Sequence, residues 1–165
     1  MKKLFVVIFC LALALVVSGC GEKAVEKAAE TAIEQSTGGQ ADVDIGTNSI
    51  KVNTNEGSLQ VGGNISLPSG FPSDVHVIDG TITAATTVTE GEAYTVSIET
   101  SKSVAAAKSE YETELKNDGW NVTLAMTFEG GATLAAEKDN RSVSVSMSES
   151  DGKTLVVLGT STTEE

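Results

Sequence analysis

The residue pattern predicts an α+β protein: an antiparallel β-sheet with one amphipathic helix packed on one face, preceded by a small β-meander and a helical tether. Two observations carry this. From Asp42 onward, short runs alternate apolar and polar residues with a period of two. Gly, Asn or Asp close them, as expected of antiparallel strands joined by tight turns. Within that β-rich region one run, Lys102 to Asp118, has the 3.6-residue spacing of a helix with a single apolar stripe. A one-faced sheet and a one-faced helix can each bury their apolar side against the other.

The elements follow in order. Asp42-Val43-Asp44-Ile45, Ser49 to Asn53 and Ser58 to Val61 alternate between turns at Gly46-Thr47-Asn48, Asn55-Glu56-Gly57 and Gly62-Gly63-Asn64. They form the meander, 41–66. It holds few large apolar residues, so it either docks on the main domain or forms a neck. Leu67 to Asp74 contains both prolines of the chain, which fix φ and extend Leu67 and Phe71. The main domain spans 67–160. Val75–Ile78, Thr81–Thr89 and Glu92–Thr100 read as strands. The helix follows, with Ser101 as N-cap, Val104, Ala107, Tyr111 and Leu115 on one face, and Gly119 as its left-handed stop. Trp120–Phe128, Ala132–Lys138, Arg141–Ser148 and Lys153–Thr160 close the sheet, with Ser150-Asp151-Gly152 as a hairpin turn. The expected core is Phe71, Val96, Ile98, Tyr111, Leu115, Trp120, Val122, Leu124, Val143 and Val145. Residues 161–165 read as a frayed acidic tail.

The start of the chain has a different character. Lys2-Lys3 precede an apolar run from Leu4 to Val17 that ends in small residues, as in a secretion signal. A transmembrane helix is the competing reading, but the run is short of the ~20 residues needed to span a bilayer. Val17-Ser18-Gly19-Cys20 resembles the lipobox of bacterial lipoproteins. The resemblance implies removal of residues 1–19, a diacylglycerol on the Cys20 thiol, and anchoring to the cell membrane or outer membrane, facing outside the cytoplasm. Residues 20–40 then serve as lipid anchor and spacer. Glu22 to Ser36 is rich in helix formers, with Val25, Ala28, Ala29, Ala32 and Ile33 in a thin stripe that Gly38-Gly39 ends.

Composition excludes several functions. The net charge is −12, and losing the two signal lysines makes it more negative, so such a surface repels nucleic acid. Of the two cysteines, Cys10 leaves with the signal and Cys20 carries lipid, so no internal disulfide forms. His76 is the sole histidine, which leaves a zinc site short of ligands and allows only one acid/base arrangement, with Asp74 or Asp79. It reads instead as an exposed strand residue. No Gly-x-Ser-x-Gly elbow and no phosphate-cradling glycine motif occurs. Asp42, Asp44 and Asn48 place oxygens at alternate positions, as calcium would require, but the twelfth position counted from Asp42 is Asn53 rather than Glu.

Leu67-Pro68, Phe71-Pro72-Ser73-Asp74-Val75 and Gly119-Trp120 resemble the L-P-x-x-F-P-x-D-V lead-in and helix-ending Gly-Trp pair of a family of uncharacterised bacterial lipoproteins with a β-rich domain. The Asp-Val-Asp meander upstream fits the same pattern. The resemblance implies fold and envelope location and no reaction. The expected function is a lipid-anchored, non-catalytic binding or structural module. Its partners are the membrane, through the lipid, and an envelope protein or wall component. No cofactor and no catalytic or metal residue is expected. The alternative is a cation-binding or hydrolytic domain built on Asp42, Asp44 and Asn48 or on His76.

Overall fold

The computed structural model describes Lys27, Thr31, residues 41–89 and residues 92–162. The signal segment, Cys20, the rest of the spacer and residues 163–165 lie outside the described residues.

Nine strands form one sheet: β1 (Ala41–Ile45), β2 (Ser49–Thr54), β3 (Gly57–Gly62), β4 (Thr81–Val88), β5 (Ala93–Thr100), β6 (Asn121–Phe128), β7 (Gly131–Lys138), β8 (Arg141–Ser150) and β9 (Lys153–Thr162). The helix α1 (Val104–Asn117) connects β5 to β6. The spatial order is β1-β2-β3-β4-β5-β9-β8-β7-β6, with every neighbour antiparallel. After β5 the chain therefore passes over one face through α1, starts again at the far edge and meanders back.

This corrects the α+β expectation. Of the described residues 57% are strand and 13% helix, so the fold is a β-sheet with one helix on it. Among the strands, the helix packs chiefly on β6, β7 and β8. The meander is not a separate unit, because β3 pairs with β4 from Gly57–Val88 to Val61–Ala84. Val75–Ile78 is not a strand but part of an irregular segment that lies over the core beside α1, with Val75 and Ile78 buried.

The register aligns the core in rows. Val96, Leu158, Val145 and Leu134 are cross-strand neighbours through β5, β9, β8 and β7, and Ile98, Val156, Met147 and Ala132 form the next row. Onto them α1 lays Ala107, Tyr111 and Leu115, all fully buried. A buried Leu or Tyr side chain contributes about 1.5–3 kcal/mol. The helix starts two residues later than expected. Ser103, not Ser101, caps it, its Oγ accepting from the Ala106 N–H at 3.3 Å. It ends as expected. Gly119 has φ +83, its N–H bonds to the Lys116 carbonyl, and the Trp120 N–H bonds to the Leu115 carbonyl at 2.8 Å. This paired closure requires a left-handed residue, which glycine adopts without strain.

Two register shifts decide which way the apolar residues face. In β6 the pairing slips between Val122 and Leu124, so Thr123 is bulged. Val122 stays in the row of Ala136 and packs on the core, while Leu124, Met126 and Phe128 emerge on the opposite face. They are 39%, 55% and 54% exposed, which corrects the placement of Leu124 in the core. One inserted residue reverses every later side chain. In β4 a similar slip lies between Ile82 and Ala84. Beyond it, β1–β3 turn polar residues (Asp42, Asp44, Lys51, Asn53, Ser58, Gln60) to the core side of the sheet and apolar ones to the far side.

Candidate functional site

The residues singled out by sequence fall into three groups. The first converges on Asp74. Its carboxylate receives both Nη atoms of Arg141, at 2.8 and 2.7 Å, and Lys138 Nζ at 2.8 Å. Its carbonyl accepts the Trp120 indole N–H at 2.8 Å. Lys138 also caps α1 through the Asp118 carbonyl, and the Arg141 guanidinium lies 5.0 Å from the Trp120 ring centre. The Arg141 bonds, opposed by burial and aided by Lys138, hold the Asp74 carboxyl far below the usual carboxylate range. This cluster pins the proline-containing segment to the end of the sheet. Nearby, Phe71 meets Tyr94 edge-on at 5.8 Å. Asp74 and the Gly119-Trp120 pair thus act together as a structural clamp, and sequence reasoning missed its cations, Lys138 and Arg141.

The second group holds His76. It is half-buried rather than exposed, so the expectation of an exposed strand residue is corrected. Its Nε2 lies 3.1 Å from Glu110 Oε1, and its ring meets Tyr111 edge-on at 5.4 Å. Glu110 also binds Lys102. Burial opposes ionisation of Glu110, but the bonds from Lys102 and His76 outweigh it and hold its carboxyl below the usual range. Burial pushes the Tyr111 hydroxyl up to about 12, and its oxygen accepts the Ile78 N–H. His76 is therefore paired with Glu110, not with Asp74 or Asp79, and it lines none of the grooves described below.

The third group is Asp42, Asp44 and Asn48. The two aspartates share the polar face of β1, where the cross-strand neighbour of Asp44 is Lys51. Asn48 lies in the turn before β2. Among the described residues no three His, Cys, Asp or Glu side chains gather as a metal would require.

A groove of about 410 Å³ lies where the first half of α1 overhangs the β6–β7 turn. Val104, Ala105, Lys108, Ser109 and Glu112 form one wall, and Thr127, Phe128, Gly130 and Gly131 the other. The Phe128 ring sits over Gly131, where a Cβ would come within 2.5 Å of it. Lys108 and Glu112 pair along the rim, one helical turn apart. The volume falls in the range of small-ligand sites, and the apolar floor with a polar rim suits an apolar group that carries a polar end. A second groove, about 330 Å³, is more polar and lies at the start of α1 between Lys102 and Lys153. A third of similar size lies on the far face of β2–β4.

Residues 82–153 match a family model described as START domain-like. The match runs from β4 to the start of β9, so it includes α1 and the strands beneath it and leaves β1–β3 outside. No significant match was found among curated proteins or solved structures.

Proposed function

We propose that this chain is a lipid-anchored cell-envelope protein, held by a diacylglycerol on Cys20. Its folded unit is a non-catalytic module that takes an apolar group of an envelope partner or small ligand into the groove between α1 and the β6–β7 turn. The observation that carries the binding reading is the groove itself, with the exposed Ala105 on its helix wall. The START domain-like match over the same elements supports a ligand-binding reading. The titratable groups that sequence offered for chemistry are engaged elsewhere: Asp74 by Arg141 and Lys138, His76 by Glu110. The anchor reading rests on the lipobox-like stretch and the apolar run before it. No helix among the described residues is long and apolar enough to cross a bilayer.

The test is to isolate the protein from its own membranes. Metabolic lipid labelling should mark the wild type and disappear in Cys20→Ser. Mass spectrometry of what co-purifies should find an apolar companion that Ala105→Glu loses. Labelling that survives Cys20→Ser refutes the anchor, and an unchanged companion in Ala105→Glu refutes the groove.

A further inference from the structure

We propose that two copies of this chain pair edge to edge through β6, antiparallel about a two-fold axis at Met126, so that their sheets join into one. The strand order leaves β6 at one rim of the sheet, with β7 as its only strand neighbour among the described residues. Half of its backbone N–H and C=O groups therefore face away from the sheet, as a template for another strand.

The two rims are not alike. β1 is five residues long and carries Asp42 and Asp44. Such charges, on a short strand, keep an edge from pairing. β6 is eight residues long, Asn121–Phe128, and has no charge and no proline. The next strand inward continues this: in 121–136 the single charged residue is Glu129, although 21% of the chain is charged and the net charge is −12. This is the flank on which two such anions approach with least repulsion.

The occupant follows from the register. Beyond the bulge at Thr123, β6 runs straight from Leu124 to Phe128, with Leu124, Met126 and Phe128 exposed on the face away from α1. Antiparallel pairing centred on Met126 sets Met126 opposite its own copy and Leu124 opposite the partner's Phe128. Three apolar side chains from each strand then share one face, where directly opposed side chains stand ~4.5–5.5 Å apart. On the helix side, Ala125 falls opposite the partner's Thr127. Both are small and exposed, so α1 leaves the rim open to a second sheet. Thr123 falls opposite the partner's Glu129, so no like charges meet. A centre nearer either end of β6 would run the pairing into the bulge or past the turn at Glu129-Gly130. With three side chains per copy that are 39–55% exposed, the contact is smaller than the ~1,200 Å² of stable complexes, so pairing depends on concentration. It is independent of both the anchor and the groove.

Sedimentation of the purified full chain, in one mild detergent throughout, tests this together with hydrogen exchange. Mass should rise from monomer to dimer with concentration. At the dimeric end the amides of 124–128 should exchange roughly tenfold more slowly, while β8 and β9 keep their rates. Met126→Lys sets two cations face to face on the axis and should leave only monomer. Ser146→Lys, on the same face in β8, should dimerise as the wild type does. Urea unfolding followed by Trp120 fluorescence checks that each variant is folded; if Met126→Lys is not, Leu124→Lys takes its place. A chain that stays monomeric throughout overturns the proposal. So does a dimer that survives the substitution, or one that leaves exchange in 124–128 unchanged. Assembly beyond the dimer also overturns it, since an open chain of copies pairs unlike edges. Protection of 124–128 that arises only with added phosphatidylcholine vesicles assigns the edge to the membrane and overturns it as well.

Discussion

Asp74→Asn removes the charge from the clamp while keeping its shape. The carboxylate receives three charge-assisted hydrogen bonds, two from Arg141 and one from Lys138. Bonds to charged groups are worth about 1.5–3 kcal/mol each when shielded. Here the partners are 26–31% exposed, so solvent reduces each towards the ~0.2–1 kcal/mol of a surface pair. Three such bonds, plus the repulsion left between Lys138 and Arg141 beside Trp120, give about 2 kcal/mol of lost stability at pH 7. The sign with pH is fixed by the depressed carboxyl of Asp74. Its contribution is complete above the ordinary Asp value of ~3.9 and is lost as pH falls below that towards the folded value. The assay is urea unfolding followed by the fluorescence of Trp120, the single tryptophan, which sits in the clamp. The wild type should unfold at higher urea than Asp74→Asn at pH 7, and the gap should narrow below about pH 4. A variant that unfolds with the wild type at pH 7, or a gap that is undiminished in acid, would refute the reasoning.

Four further outcomes are expected. Leu115→Ala, at a fully buried helix position, should cost about 2–5 kcal/mol in the same unfolding assay. His76→Ala should cost about 1 kcal/mol, through the lost Glu110 bond and the edge contact with Tyr111; a cost above that of Leu115→Ala would contradict the packing described. Leu124→Ser should change stability by less than about 0.5 kcal/mol, because the bulge at Thr123 turns Leu124 outward, and a larger loss would restore it to the core. Gly119→Ala should cost about 1 kcal/mol or more at φ +83, measured by thermal melting.

Much of the sheet was legible because β5, β7 and β8 alternate, and the β6–β7, β7–β8 and β8–β9 hairpins carry turn residues suited to a left-handed backbone: Gly130, Asp139 and Asp151. The helix was legible from its stripe and Gly119. Its first residue was not, since Ser101 and Ser103 are both good caps and only the end of β5 chooses between them. Leu124 reads as core because counting by twos cannot register a single bulged residue. The clamp was half legible. Asp74 and Trp120 stand in recognisable motifs, but Arg141 is 67 residues from Asp74, and no local pattern joins them. The groove was invisible for a related reason: its walls come from α1 and the β6–β7 turn, which meet only once the chain has crossed the sheet. The α+β expectation failed because the sequence marks strands as strands but does not show that β3 would pair with β4 and make one sheet of two segments.

Titration with an acyl chain bearing an environment-sensitive dye tests the binding role at the groove most directly. The account predicts saturable, blue-shifted emission with the wild type and its loss in Ala105→Glu, with unfolding of the variant otherwise normal. Absence of saturable binding to the wild type, or equal binding by both proteins, would contradict it.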